Sequence, residues 1–307
     1  MLTNPGFAAF EVMPAATRPG AVRLFGEAAD YWALTKPEIN FLIAIATFTG
    51  FYLGRPVQLH GFPFMLLIHT LLGTLLVASG AGTLNQYLER RFDAQMRRTR
   101  RRPLAAGRLK PSSALWFGIV LSSGGLIYLA AAANVLAGLL AAFTLASYLM
   151  LYTPLKRKTP LCTVVGALSG AIPPLIGWAA ASGKLTLEAC LLYSMLFLWQ
   201  FPHFMAIAWM YREDYAQAGY LVLPQGGKSA RFMSWQALTP SLALIPVSLS
   251  PTVIGNAGPA YFVAACILSS GLLYYSARLV FLRSSVAARR LLMASIIYLP
   301  LAFFLII

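Results

Sequence analysis

Acidic residues are almost missing from this chain: nine Asp and Glu stand among 307 residues, against 24 Lys and Arg. Charge of either sign is scarce, at 11%, where a soluble globular chain carries about 25%. That shortage excludes an ordinary water-soluble domain. Cysteine is limited to Cys162, Cys190 and Cys266, far apart in apolar runs. Such spacing excludes a disulfide framework and a Cys-based metal site, and buried small apolar positions are expected instead. No linker rich in Gly, Ser or Pro is long enough to separate domains. Residues 1–30 read as a cytoplasmic tail and 31–307 as a single transmembrane domain. The amino-terminal stretch lacks an apolar core behind its charges and contains Glu11, Glu27 and Asp30. Neither a cleavable signal peptide nor a mitochondrial transit peptide is expected there.

What the chain does have is apolar length. It is 59% hydrophobic with mean hydropathy +0.69. Each crossing of a bilayer needs about 20 apolar residues, and only helices or closed barrels satisfy the backbone in lipid. The runs here are continuous rather than alternating, so a barrel is rejected. The expectation is an all-α integral membrane protein with nine spans, near 38–54, 63–85, 112–132, 135–152, 161–181, 186–209, 236–254, 260–280 and 290–307.

The net charge of +15 invites a nucleic-acid reading, but its placement argues otherwise. With nine spans, Arg55 and Lys184 alone among the Lys and Arg fall on one side of the membrane. That asymmetry puts the N-terminus and the long basic loops in the cytoplasm. A bacterial inner membrane is the simplest location, and no nucleic-acid partner is expected.

The few acids are not scattered. Glu89 and Asp93 follow the second expected span, ahead of the basic run Arg97 to Arg102, and Glu213 and Asp214 follow the sixth. If the second span continues as helix, Asn85, Glu89 and Asp93 share one face at four-residue spacing. Oxygen-bearing side chains in line suit Mg2+, which prefers oxygen ligands and shares substrate phosphates. The competing reading is a solvated helix end with an ion pair such as Asp93 to Arg97.

The arginine run works equally well as a topology and lipid-headgroup signal. Within it, Arg97 and Arg98 are the best placed to turn inward, one helical turn past Asp93. The Arg fork suits diphosphate. Lys156, bracketed by Pro154 and Pro160, reads as a phosphate-binding lysine or a plain membrane-edge charge. Carboxylates beside basic residues at the mouth of a bundle point to a Mg2+–diphosphate site, hence to a prenyl diphosphate substrate.

His203 lies one turn after Trp199, next to Pro202, within the sixth expected span. An ionisable group inside a span is a functional candidate; the alternative is a neutral core histidine. His69, without polar neighbours in sequence, reads as structural. Phe41, Trp199, Phe201 and Phe204 are candidates for an aromatic wall around a developing cation.

Five stretches resemble the UbiA superfamily of membrane prenyltransferases: LTKPEINFL (34–42), GTLNQYLERRFDAQMRRTRRRPLAAGRL (82–109), YTPLKRKTP (152–160), GALSGAIPPLIGWAA (166–180) and WQFPHFMAIAWMYREDYAQAGYLVLP (199–224). The last of these is most similar to the haem-farnesylating branch. The resemblance implies a nine-helix bundle of the UbiA type with a cavity open to the cytoplasm and to lipid. It also implies Mg2+-dependent transfer of a farnesyl group from farnesyl diphosphate to a vinyl group of haem B, with water addition. Asn85, Glu89 and Asp93 match the family's first acidic motif, as catalytic and metal-binding residues, with Glu89 where many members carry Asp. Tyr152 and Lys156 match its tyrosine–lysine motif. The second acidic motif departs from DxxxD, because Ala218 stands four residues after Asp214. Asp214 is carried over as a catalytic and metal residue, beside Glu213. Substrate contacts are expected from Arg97, Arg98, Tyr152, Lys156, His203 and Glu213. A downstream haem-modifying or oxidase-assembly membrane protein is an expected partner.

Three other readings stand beside this one. A prenyltransferase for an aromatic quinone precursor needs the same diphosphate site with a smaller acceptor. A transporter places ionisable groups near the bilayer midplane in broken helices, whereas these acids cluster at one face. A haem carrier without catalysis needs no diphosphate site.

Overall fold

The computed structural model describes residues 20–56, 61–224 and 228–307. Every regular element among them is helical. Each apolar run marked out by the sequence falls on a helix: α2 (Pro37–Gly54), α3 (Phe64–Asp93), α4 (Pro111–Ala132), α5 (Val135–Ala146), α7 (Cys162–Gly170) with α8 (Pro173–Ser182), α9 (Leu187–Met210), α11 (Lys228–Val253), α12 (Pro259–Leu282) and α13 (Ser285–Ile306). Among the described residues, seven segments are long and apolar enough to cross a membrane: α3, α4, 135–155, 162–182, α9, α12 and α13. Large apolar side chains such as Trp116, Phe143, Met150 and Phe281 lie exposed on outer faces. Outside a membrane such surfaces are a liability; in lipid they are the solvent contact. This is a multi-pass membrane protein.

Four comparisons with the sequence reading matter for the site. The expected tail boundary at residue 30 falls inside a helix, α1 (Gly20–Leu34), while residues 1–19 lie outside the described residues. Arg108 grips Asp30 at 2.8 Å, and Leu34 packs with Leu104, Leu109 and Ala114. Second, α3 is 30 residues long, or about 45 Å at 1.5 Å per residue. That exceeds a hydrocarbon core of about 30 Å, so the helix is long enough to span the core and still carry Glu89 and Asp93 on turns past it. Third, the expected span 161–181 is broken between α7 and α8, immediately before Pro173, whose missing N–H and ring disfavour an unbroken helix. Finally, Cys190 is exposed rather than buried, and Cys162 alone of the three cysteines fits the expectation fully.

Helix contacts are close where side chains are small. A Cβ on Gly50 would sit 1.9 Å from the Pro174 carbonyl oxygen, and one on Gly177 would sit 1.9 Å from that of Thr47. The α2–α8 crossing therefore depends on these two glycines, the small-residue packing favoured where lipid supplies no hydrophobic drive between helices. At the charged end, α5 passes through a π-helical turn at Ser147–Tyr152 into a last short turn, α6 (Thr153–Leu155). Such turns re-aim side chains and recur at functional sites. Here the turn delivers Thr153 and Lys156 against α3.

Candidate functional site

The site begins with one face of α3. Asn85, Glu89 and Asp93 are all buried, as their common helical spacing led one to expect. Each meets a partner from a different segment of the chain. The Asn85 side-chain oxygen accepts from Lys36 Nζ at 2.8 Å, and its amide donates to Thr153 Oγ at 3.2 Å. Glu89 Oε1 accepts from Lys156 Nζ at 2.8 Å. One guanidinium nitrogen of Arg102 is shared between the two Asp93 oxygens, at 3.0 and 2.8 Å. Three basic side chains thus face two carboxylates and an amide, and the cluster carries a net positive charge whenever Lys36 is protonated, which a bound anion would favour.

Burial is costly for an ion unless it is paired, and the partners set the outcome here. Lys36 is pulled down to about 7, first by burial and then by the like charges of Arg102 and Lys156, against the pull of Glu89 and Asp93. Burial also opposes the Lys156 charge, but Glu89 more than offsets it and raises that lysine above its ordinary value. Lys36 occupies the left-handed region, at φ 56°, which non-glycine residues enter at a cost tolerated at functional sites. That backbone turn, between α1 and α2, is fastened to α3 by Gln86 donating to the Leu34 carbonyl at 3.0 Å.

The second acidic cluster is built differently. Asp214, buried in α10 (Arg212–Gln217), accepts from Arg97 Nε at 2.9 Å and from the backbone N–H of Arg98 at 3.2 Å. Burial works against its charge, yet these donors prevail and hold its carboxyl below the usual range. Glu213 is exposed and touches Arg97 and Arg212 at 3.5 and 3.4 Å. The Arg98 guanidinium lies 5.0 Å from the Tyr211 ring centre and 6.0 Å from that of Tyr215. Arg97, Arg98, Tyr211, Glu213 and Asp214 line one open cleft with Met210.

The α3 face thus assembles with Lys156, while Arg97, Arg98, Glu213 and Asp214 form a second group beside it. Tyr152 ends the π-helical turn, with Lys156 Nζ 4.5 Å from its ring centre. Asp93 pairs with Arg102 rather than with Arg97. The reason is that α3 stops at Asp93, and the chain folds back with Thr99 Oγ donating to the Asp93 carbonyl at 2.9 Å. Lys36, Arg102 and Thr153 were not singled out from sequence; the signal for Lys36 was present in LTKPEINFL, but nothing local linked it to α3.

Tyr220 was missed as well. It is buried between Phe92 and Tyr215, with ring centres 5.9 and 6.0 Å away. Among the described residues, its hydroxyl makes no well-formed hydrogen bond. Burial first, then the Glu89 and Asp93 charges and the approach of the Glu89 side chain, push its pKa far up.

Deeper in the bundle, the His203 ring stacks on Trp199 at 4.8 Å, and its Nδ1 lies 2.9 Å from Ser295 Oγ on α13. Ser295 Oγ also lies 2.7 Å from the Leu292 carbonyl, so its one proton is shared between two acceptors in reach, that carbonyl and the imidazole. His69 is bonded to Tyr128 at 2.6 Å, the structural role expected of it. Trp199 and Phe201 are buried as an inner wall requires, but Phe41 is exposed on the outer surface.

Among the described residues, no group of three or more His, Cys, Asp or Glu forms a self-sufficient metal cage. Mg2+ does not require one: it usually takes one or two carboxylates and completes its shell with water and substrate phosphate. Two carboxylates and an amide oxygen on one helix face, beside cations able to engage phosphate, fit that pattern.

Comparison with known proteins agrees with this geometry. The model of the UbiA prenyltransferase family matches residues 43–304. A protoheme IX farnesyltransferase of Solibacter usitatus is 47% identical over 280 residues, covering 89% of this chain and 96% of that protein. One from Salinibacter ruber is 42% identical over 273 residues, covering 88% and 95%. Among solved structures, a digeranylgeranylglyceryl phosphate synthase aligns with TM-score 0.72 at 17% identity, covering 91% of this chain and 97% of that one. A UbiA homolog from Archaeoglobus fulgidus bound to GPP and Mg2+ aligns with TM-score 0.64 at 16% identity, covering 90% and 99%. These two likenesses establish the fold.

Proposed function

We propose that this chain, which belongs to the UbiA prenyltransferase family, transfers a farnesyl group from farnesyl diphosphate to a vinyl group of haem B. The observation that carries the reading is the buried meeting of Asn85, Glu89 and Asp93 with Lys36, Lys156 and Arg102. The acceptor follows the relatives' naming as protoheme IX farnesyltransferases. Nine spans, an N-terminus and site facing the cytoplasm, and a bacterial inner membrane complete the proposal, on the strength of the basic loops gathered on one side.

In the reaction, the allylic C1–O bond breaks and the diphosphate leaves with the electron pair. The vinyl terminal carbon bonds to C1, and the cation left beside the porphyrin ring takes water and loses a proton. Bound Mg2+, held by Asn85, Glu89 and Asp93, would supply charge neutralisation of the leaving diphosphate. Lys36, Lys156 and Arg102 turn from their partners on α3 to the phosphate oxygens, which preorganises positive charge where negative charge develops. Tyr152 presents its ring beside Lys156. Arg97 and Arg98 guard the rim with Glu213, and Asp214 anchors them. A direct metal role for Asp214 is compatible with the Arg98 N–H bond, because each carboxylate oxygen keeps a further lone pair, and calls only for Arg97 to give way. Trp199 and Phe201 keep the interior dry, which delays capture of the cation by water. His203, held through Nδ1 beside Ser295, ligates or positions the haem iron. The product, a hydroxyethylfarnesyl haem, would pass to a haem-modifying or oxidase-assembly membrane protein.

Purified protein with haem B, farnesyl diphosphate and Mg2+, read by mass spectrometry, tests this. The expected result is a farnesylated, hydrated haem whose formation stops with EDTA and resumes with Mg2+. No haem product, but prenylation of an aromatic acid supplied instead, would keep the diphosphate site and overturn the acceptor. A product that forms unchanged in EDTA would overturn the metal.

A further inference from the structure

Tyr220 carries an observation that the mechanism above leaves unused. A buried phenol normally finds a hydrogen-bond partner, and leaving its hydroxyl unsatisfied is destabilising. Its ring is fixed by Phe92 and Tyr215. The next residue is tied directly to the site, since Leu221 N–H donates to the Lys156 carbonyl at 2.7 Å. Lys156 in turn holds Glu89. The hydroxyl lies within the influence of the Glu89 carboxylate, whose Oε1 is held in place by a lysine that the proposed reaction draws away to phosphate.

We infer that Tyr220 is a positioning residue for Glu89: when Lys156 turns to the substrate diphosphate, the Tyr220 hydroxyl donates to Glu89 and fixes the orientation in which that carboxylate faces the metal. Carboxylates that ligate metals are commonly held by such outer hydrogen bonds. The inference rests on the diphosphate reading of the site. The unliganded protein keeps the phenol unsatisfied, and the loaded one satisfies it.

The test is Tyr220→Phe, which keeps the ring contacts and removes only the hydroxyl. In the unliganded protein the melting temperature should stay or rise, because an unsatisfied buried group is gone. The increase in melting temperature on adding Mg2+ with inorganic diphosphate should shrink relative to wild type. With farnesyl diphosphate and haem B, kcat should fall about tenfold, the effect of one hydrogen bond to a charged group, while KM for haem stays put. A Mg2+–diphosphate shift and kcat equal to wild type would overturn the inference and leave the diphosphate site standing. So would a fall in the unliganded melting temperature, since it would mean the hydroxyl already has a partner. Wild-type protein unmoved by Mg2+–diphosphate would remove the site reading and the inference together.

Discussion

The two acidic clusters of this protein look alike in sequence and differ in how their carboxylates are held. On α3, Glu89 and Asp93 are buried and partnered by side chains, Lys156 and Arg102, which can rotate away. In α10, Asp214 is equally buried, but one of its donors is the backbone N–H of Arg98, which cannot leave without moving the loop. The other is Arg97, 68% exposed. A carboxylate held by mobile cations is ready to exchange them for a metal and to pass the cations to phosphate. One that also accepts from backbone fastens the loop, whether or not it reaches a metal as well. Burial and scarcity do not distinguish the two clusters; the kinds of donor they meet do.

Changes at α3 should break that comparison most sharply. Asp93→Asn keeps the shape and an acceptor for Arg102 but halves the carboxylate charge of the cluster. Turnover should fall by at least about a hundredfold, given the several kcal/mol that metal charge stabilisation supplies, with the protein still folded in the membrane. Activity near wild type would remove Asp93 from the metal site. Lys156→Met comes next. It removes a proposed phosphate contact and deprives Glu89 of its bonded cation, so KM for farnesyl diphosphate should rise by about tenfold or more, with a lower melting temperature. A KM unchanged for the diphosphate would make Lys156 a purely structural partner of Glu89.

Asp214→Asn tests the fastening. The amide oxygen can still accept from Arg98 N–H, so the loop should hold and activity should drop only a few-fold, as for loss of a single charge-assisted bond. A loss as deep as that of Asp93→Asn would return Asp214 to the metal shell. The pH dependence has a definite sign. Arg97 and Arg98 hold the wild-type carboxyl below its ordinary value, so its contribution to stability is complete above that ordinary value and fades as pH falls through the carboxylate range. The difference in melting temperature between wild type and variant should therefore narrow on acidification.

How much of this was legible in the sequence depended on distance along the chain. The shared face of Asn85, Glu89 and Asp93 follows from helical spacing alone, and the helix does run to Asp93. Past Asp93 the helical spacing offered Arg97 as the partner of Asp93, and there it failed, although Arg97 and Arg98 do meet Asp214. The helix ends, the chain doubles back through Thr99, and Arg102 arrives nine residues from its partner. Lys36 reaches Asn85 across 49 residues and Lys156 reaches Glu89 across 67. Contacts of that kind come from how helices pack, which no local pattern encodes. Tyr220 was hidden for a related reason: an aromatic in a short loop has no periodicity to mark it, and its interest lies in an unsatisfied hydroxyl that only packing reveals. The break between α7 and α8 was more readable, since Pro173 and Pro174 stand together at its far side.

The smallest effect expected is at Arg97, and it sharpens the comparison from the rim inward. Arg97 is the best-placed basic residue by sequence and pairs with both Asp214 and Glu213. Yet it is largely exposed, and exposed ion pairs contribute little because water and salt screen them. Arg97→Ala leaves Asp214 with the Arg98 N–H and leaves the α3 cluster untouched. Turnover at saturating farnesyl diphosphate should stay within about twofold of wild type, in line with the small worth of exposed pairs. Any rise in KM should disappear at high ionic strength, where the rim field is screened for both proteins. A salt-independent loss comparable to that of Lys156→Met would place Arg97 on the diphosphate itself, and the line between the reactive cluster and the fastening would then have to be redrawn to include the rim.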